Sequence, residues 1–565
     1  MTILPALGAL THRPFGPALV GPTRLHTGAA WVTVAVCILA CVPAGLRWLR
    51  VAQREHYLPG SASRFAGRWW RVTPANGALA AVVVVAMVLS ARWPLAGVAA
   101  AAGVAAGPIG LTLKGRTSPL AWTRRLRTLA LVWASLELVV VAAGVLLGPA
   151  APVAVLAAVG IPVLIDLACL VTSPVERRLG TRFVDEASTR LARVHPTVVA
   201  VTGSYGKTST KGHIAHLVRP TRTVVATPAS FNNRAGLARA VNEHLADDTE
   251  VFVAEMGTYG PGEIAELCEW CPPDIAVITA IGPVHLERFG SEDRIVEAKS
   301  EILVAAHDVV LQVDDPRLAA VAQRAATQGK RVLRCSAVDR SADVCVVRSE
   351  DDGTVSVYAA GTLVSGDVTV PTGTQPTNLA CAVAVAFVLG VPPGLVGERV
   401  ADLPSVDHRL QTARSGSGVA ILDDTYNANP AGAAEALEAL RLEARDPIDS
   451  APGAGRSQPR PRRAVVTPGM VELGSRQFAE NVAFGTAIAG LADHLVVVGR
   501  TNRRALLAGV TAAAAAAAST DAAPTAPTLE VILVDHRDQA VTWVREHLGP
   551  GDAVLYENDL PDHYP

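Results

Sequence analysis

Five apolar stretches, at 28–46, 77–92, 94–112, 127–148 and 152–172, dominate the first third of this 565-residue chain. Each approaches the roughly 20 residues that a helix needs to cross about 30 Å of hydrocarbon. A buried helical core would scatter charge along its helices, whereas here charge collects between the runs. The first run begins too late, and too many follow it, for a cleaved leader. The first connection holds Arg47, Arg50, Arg54, Arg64, Arg68 and Arg71, and the third holds Lys114, Arg116, Arg124, Arg125 and Arg127. The second has Arg92 and the fourth has no basic residue. Basic loops stay on the cytoplasmic side. The sequence therefore predicts a multi-pass membrane region over 1–175 with about five crossings, its N-terminus outside and everything after Arg177 in the cytoplasm.

The overall charge is balanced: 50 basic and 51 acidic side chains leave a net −1, which gives no footprint for nucleic acid. Eight cysteines are too few for a disulfide scaffold in a chain of this length and suit a reducing compartment. Cys268 and Cys271 form a C-x-x-C without a second pair at zinc spacing, which reads as a packed helix face. Lysine is rare. Only Lys114, Lys207, Lys211, Lys299 and Lys330 occur, and arginine supplies the remaining basic residues.

Beyond Pro196 short β-rich runs alternate with helical patterns. Strands are expected at 197–202, 251–254, 275–279 and 309–313, then a β-rich patch at 343–370. A second set is expected at 419–422, 464–466, 495–498, 531–534 and 553–555. This alternation predicts three-layer α/β architecture with largely parallel sheets. Two biased segments, 444–463 and 511–528, read as surface loops with no assigned role.

The strongest chemical signal is the run Thr202-Gly203-Ser204-Tyr205-Gly206-Lys207-Thr208-Ser209, placed after a strand and before a helix. Such a glycine loop lets main-chain N–H groups and a helix N-terminus meet phosphate oxygens, with Lys207 as a point charge and the Thr208 hydroxyl for Mg²⁺. Val201 stands where the full phosphate-loop motif has its first glycine. Glu255 follows the strand at 251–254, as a Mg²⁺-holding carboxylate would, and His285 lies just past the strand at 275–279. Taken singly, each reads as a structural polar residue; their order after the loop joins them. Lys299, alone, reads as a solvated helix lysine.

Together, the 203–208 loop, Phe231-Asn232-Asn233, Ala254-Glu255-Met256-Gly257, His285 and Ala298-Lys299-Ser300-Glu301 resemble the central domain of the Mur ligases. These are the ATP-dependent amide-forming enzymes of peptidoglycan precursor assembly. Asn378-Leu379-Ala380, Asp407-His408-Arg409-Leu410 and the run from Asp423 to Pro430 resemble the later signatures of that family, the last in its MurF form. The resemblance covers about two-thirds of the chain. It implies a P-loop central domain over 195–398 and a Rossmann-like C-terminal domain over 399–565.

The resemblance also implies roles. Gly203, Ser204, Tyr205, Gly206, Lys207, Thr208 and Ser209 would cradle ATP, with Asn378 at the adenine, Asp424 at the ribose and Arg409 at the phosphates. Thr208 and Glu255 would hold one Mg²⁺. His285 would bind a second, supported by Lys299, which the family carbamylates with CO₂. Asn232, Asn233, Tyr426 and Asn427 would line the substrates, and Lys207, His285 and Lys299 would carry the catalysis. A substrate carboxylate would take the γ-phosphoryl group, and an amine would then displace phosphate from the acyl phosphate. The partners implied are a carboxylate acceptor, such as a muramoyl peptide or lipid-linked precursor, an amino-acid or dipeptide donor, and membrane lipid. Two departures stand out. Membrane segments occupy the place of the nucleotide-binding acceptor domain of the MurF type, and Tyr556-Glu557-Asn558 replaces its terminal Lys-Gly-Ser. A poly-γ-glutamate-type synthase and a non-enzymatic ATP-binding membrane protein are the alternative readings.

Overall fold

The computed structural model describes residues 27–111, 120–228, 231–349, 353–404, 410–425, 429–443, 460–518 and 529–558. The chain divides into two compact units, one up to Arg177 and one from Arg178 to Leu560.

The first unit is helical: α1 Thr27–Arg54, α2 Ser61–Val72, α3 Pro74–Ser90, α4 Ala96–Ala106, α5 Arg124–Leu147, α6 Ala150–Val159 and the start of α7 Ile161–Val194. Within it, Gly28–Arg54 and Arg124–Leu147 are long and apolar enough to cross a membrane. Two bent pairs, α2 with α3 and α6 with α7, add up to two more if each is one span. The five expected stretches therefore do not become five straight spans. The one at 94–112 yields an 11-residue helix, about 16 Å long at 1.5 Å per residue. It stops at Gly107 because Pro108 disfavours helix in the residue before it. The stretch at 152–172 breaks between α6 and α7 with a 71° bend, where Gly160 and Pro162 fall together. Large apolar side chains face outward on the two long helices, Leu39 at 71% and Leu131 at 70% exposure. Charges within the unit are used internally. The Asp166 carboxylate accepts from the Ala62 and Ser63 N–H groups that open α2, at 3.0 and 2.9 Å. Arg47 donates to the Val104 and Ala105 carbonyls that end α4. An anion at a helix start and a cation at a helix end both complement the dipole.

The second unit is built on two sheets. The larger contains β1 Thr197–Thr202, β2 Val224–Ala226, β3 Val251–Glu255, β4 Ile275–Ile278, β5 Asp308–Gln312, β6 Arg331–Ser336, β7 Val344–Arg348, β8 Val355–Ala359 and β9 Thr362–Val368. Their order is β2-β3-β1-β4-β5-β6-β7-β8-β9. Pairing is parallel from β2 through β7 and antiparallel at β8 and β9. The inner strands read as continuous Val, Ile and Ala because both faces are covered. Val198 and Ala200 join one core, and Val199 and Val201 the other. The first core packs under the end of α7 with α9 Arg234–His244, α10 Glu263–Trp270, α12 Glu292–Ser300 and α13 Pro316–Thr327. The second lies under α8 Lys207–Val218, α14 Pro376–Val388 and α15 Pro393–Ala401. A short α11 Leu286–Phe289 precedes α12. Cys268 and Cys271 are buried in the first core.

The smaller sheet runs β10-β11-β15-β12-β13-β14. It is formed by β10 Gln411–Arg414, β11 Ala420–Asp424, β12 Arg463–Thr467, β13 His494–Val498, β14 Glu530–Val534 and β15 Ala553–Glu557. All neighbours are parallel except β10 and β11. Helices α16 Pro430–Glu443, α17 Gln477–Ala489 and α18 Arg503–Ala518 cover one face, and α19 Arg537–His547 the other.

Three strands were not expected from sequence. β2 has three half-buried residues, β6 carries two arginines, and β10 is an antiparallel edge. The segment 511–528 is not a loop throughout, since α18 continues to Ala518; its alanine run has the highest helix propensity of any residue type. Of 444–463, the part 444–459 lies outside the described residues, and Arg463 opens β12.

Helices α17 and α18 pack backbone to backbone at two glycines. A Cβ on Gly509 would stand 2.1 Å from the Val482 carbonyl oxygen, and one on Gly485 2.4 Å from that of Leu506. Gly509→Ala should therefore force the helices apart and cost about 1–3 kcal/mol. An unchanged unfolding temperature in that variant would contradict this packing.

Candidate functional site

The larger sheet reverses its winding at β1, which lies between β3 and β4. Crevices at the carboxyl ends of strands at such a point are where ligands bind in open α/β sheets. The loop at 203–206 emerges there and turns into α8. Gly206 takes the left-handed conformation at φ 77°, and a Cβ on it would stand 2.1 Å from the Asn378 carboxamide oxygen. Asn378, buried in α14, is thus packed directly against the loop.

The loop is tied down on its far side. Ser204 N–H donates to the Ala280 carbonyl at 2.7 Å, the Ser204 hydroxyl donates to the Gly282 carbonyl at 3.1 Å, and the Thr279 hydroxyl donates to the Tyr205 carbonyl. Ser204 is therefore occupied in holding the loop's shape. The Tyr205 hydroxyl is buried against Gly282 and has no hydrogen-bond partner among the described residues, and burial raises its pKa, helped by Glu292 and Glu480. Lys207 folds back to the Gly203 carbonyl at 2.8 Å. Helix α8 starts at Lys207, so the N–H groups of its first turn, those of Thr208 and Ser209 among them, face out of the helix end, a ready anion cradle.

Glu255 ends β3 and is 1% exposed. Its Oε2 accepts from the Thr208 hydroxyl at 2.9 Å and from Lys211 Nζ at 3.0 Å, while its Oε1 accepts from Asn232 Nδ2 at 3.0 Å. Burial alone would raise its pKa, but the charges of Lys211 and Lys207 and the Asn232 hydrogen bond outweigh it and hold the carboxyl below the usual range. Asn233 takes a different part, capping α9 by accepting from the Gly236 N–H at 3.0 Å.

Lys299 sits in the last turn of α12 and is 4% exposed. Among the described residues it has no hydrogen-bond or ion-pair partner. The nearby Glu301 carboxylate is committed to the Gly262 and Ala265 N–H groups at the start of α10. Burial, and then the charge of Lys207, holds the Lys299 amine well below the usual lysine range.

His285 has a left-handed backbone at φ 59°. Its Nδ1 pairs with the Glu472 carboxylate from the segment after β12, and Tyr259 stands edge-on to the ring at 4.9 Å. This pairing leaves Nε2 as the nitrogen available to a ligand, the arrangement in which a carboxylate orients a metal-binding imidazole. A second bridge to the smaller sheet runs through Glu292, which accepts from both Arg317 and Arg476, and Arg476 also pairs with Glu480. A third joins Gln375, at the start of α14, to Glu435 on α16. Burial raises the Glu435 pKa to about 7 against the lowering effect of Arg348, with Asp424 adding to the rise. Asp424 ends β11 opposite Glu557 of β15. Glu557 is fully buried, and burial and then Asp424 push its carboxyl well up.

Arg409, Tyr426 and Asn427 lie outside the described residues. The structure brings Lys207, Thr208, Glu255 and Asn232 together, with Asn378 on the loop and the Lys299 amine close enough to Lys207 to feel its charge. Among the described residues, no group of three or more His, Cys, Asp or Glu side chains forms a metal cage. The hydroxyl and carboxylate oxygens of Thr208 and Glu255 do suit Mg²⁺, which takes one or two carboxylates and fills its remaining positions with phosphate and water. Lys211 and Glu472 were missed in the sequence. The signal for Lys211 was its place one helical turn after Lys207; that for Glu472 was an acid shortly after a strand end, the clue that marked Glu255.

Comparison with known proteins agrees with this geometry. Residues 201–386 match the Mur ligase middle domain, and residues 408–556 the Mur ligase, glutamate ligase domain. The chain is 33% identical over 375 residues to the UDP-N-acetylmuramoyl-tripeptide–D-alanyl-D-alanine ligase of Mycobacterium tuberculosis, covering 64% of this chain and 69% of the relative. It is 29% identical over 264 residues to the enzyme of that name from Bacillus subtilis, covering 46% and 55%. The crystal structure of MurF ligase from Thermotoga maritima in complex with ADP superposes with a TM-score of 0.52 at 27% identity, over 67% of this chain and 80% of that one. MurF from Acinetobacter baumannii shares the fold at 22% identity and a TM-score of 0.54, over 67% and 77%. With the phosphate loop, Glu255 and both sheets accounted for in this way, the chain belongs to the Mur ligase family and is a MurF-like ATP-dependent ligase that forms amide bonds.

Proposed function

We propose that the protein is a membrane-anchored MurF-like ligase of cell-wall precursor synthesis, with its domains at 195–398 and 399–565 on the cytoplasmic side. Its acceptor is a muramoyl peptide or a lipid-linked form of one, and its donor is an amino acid or dipeptide amine. The observation that carries the ligase reading is the meeting of Thr208 and Lys211 on one oxygen of Glu255 beside Lys207 and the α8 N-terminus. The anchor rests on the apolar outward faces of α1 and α5.

The residues divide the work. The N-terminus of α8 and Lys207 receive the ATP phosphates and offset the charge that builds as the acceptor carboxylate attacks the γ-phosphorus and ADP leaves. Thr208 and Glu255 would hold Mg²⁺, and the Nε2 of His285 a second; bound there, the ions neutralise phosphate charge. The donor nitrogen then attacks the acyl carbon, phosphate departs, and the amine loses a proton. No protein nucleophile is required. Asn378 and Asp424 serve the nucleoside and Asn232 the reacting groups, while Ser204 and Asn233 act by holding the loop and α9 in place.

Lys299 suits carbamylation. A buried amine kept neutral by its surroundings keeps the lone pair that attacks CO₂, and the product, a carbamate anion with one proton released, places a negative charge near the Lys207 cation. Arginine could not substitute, since its guanidinium stays protonated. Lys299→Ala is expected to lose at least about a hundredfold in turnover and to recover part of it with added short-chain carboxylate. Full activity without rescue would remove Lys299 from the mechanism.

The experiment for the whole reading uses the full chain. Carbonate-washed membranes should retain it, and the detergent-solubilised protein should release phosphate from ATP only when both acceptor and amine are present. UDP-muramoyl-tripeptide with D-Ala-D-Ala is the first pair to test, and the lipid extract of the same membranes supplies the second acceptor. Recovery in the wash would overturn the anchor; phosphate release with neither acceptor would overturn the ligase.

A further inference from the structure

Lys211 has no part in the chemistry above, yet it holds the atom on which the proposed metal site depends. Glu255 offers two oxygens. Asn232 takes Oε1 at 3.0 Å, and Oε2 faces both the Thr208 hydroxyl at 2.9 Å and Lys211 Nζ at 3.0 Å. An ion held by Thr208 and Glu255 would draw on the carboxylate oxygen beside the Thr208 hydroxyl, Oε2. Lys211 therefore already supplies a positive charge to that oxygen.

The ammonium cannot simply leave. Lys211 is 5% exposed, lies within α8, and its partner carboxylate is 1% exposed. A divalent ion arriving alone would meet a fixed like charge in a low-dielectric setting, where repulsion is strong. An ion arriving with nucleotide brings the phosphate charge that offsets this repulsion. We propose that Lys211 is a resident cation competing with the divalent metal for Glu255 Oε2, so that metal is admitted together with the nucleotide rather than ahead of it. The proposal rests on the reading of Thr208 and Glu255 as a metal pair. It makes Lys211 a positioning residue that sets the order of loading.

The test uses the full chain in detergent, without nucleotide, titrated with Mn²⁺ and followed by the electron paramagnetic resonance signal of the free ion. Lys211→Gln should bind Mn²⁺ at least about tenfold more tightly than the parent, because the competing charge is gone. Lys211→Arg should stay weak, since charge and not shape is at issue. Lys211→Met provides a second neutral variant, and circular dichroism checks that each one folds. Addition of Mn²⁺ should also raise the unfolding temperature of the neutral variants more than that of the parent. Unchanged or weaker Mn²⁺ binding in a folded neutral variant would overturn the proposal, as would tighter binding that survives the further change Glu255→Gln. The metal-pair reading fails separately: in that case Glu255→Gln alone would leave Mn²⁺ binding unaltered with ATP present.

Discussion

A single buried carboxylate organises this site. Glu255 lies at the end of an inner strand, where removing an ion from water costs several kcal/mol unless partners replace the water. Three side chains replace it: Thr208 and Lys211 from α8, and Asn232 from the segment before α9. One anion thereby fixes the loop-to-helix junction against β3 and sets the direction of α8. The anion cradle at the helix end depends on that direction. Glu255 is therefore both the electrostatic anchor of the site and the oxygen donor that a metal would use.

The second dependence is between the two sheets. Three bridges, His285 to Glu472, Glu292 to Arg476 and Gln375 to Glu435, join elements near the phosphate loop to the smaller sheet. They involve His285 itself, Glu292 on the helix that carries Lys299, and Gln375, three residues before Asn378. The segment after β4, α12 and the N-cap of α14 thus each have a polar partner among the elements of the smaller sheet. The lysines show the same economy. Of the four described, Lys207, Lys211 and Lys299 surround the loop, and Lys330 donates to the Val304 and Ala306 carbonyls.

Much of the unit from 178 to 560 was legible because its inner strands are buried on both faces and spell continuous β-branched runs. β1, β3, β4 and β5 fell within a residue of expectation for that reason, while β2, β6 and β10 carry polar or few residues and sit where pairing, not composition, makes the strand. The phosphate loop announced itself by glycine spacing. Lys211 and Glu472 did not, because their importance comes from the side chains they meet across long sequence separations. Asn233, expected near the substrates, also caps α9, a local role that its sequence position did not announce. In the first unit, hydropathy found the apolar stretches but could not find the breaks at Gly107 and Gly160, where local backbone geometry decides helix length. Five expected crossings became two long helices and two bent pairs.

The central claim is that this site transfers the γ-phosphoryl group of ATP to a carboxylate and then replaces it with an amine. An acceptor carrying ¹⁸O in its reacting carboxylate tests this most directly, with the inorganic phosphate analysed by mass after turnover. The account predicts one labelled oxygen in each phosphate released alongside amide. Unlabelled phosphate accompanying amide formation would contradict it.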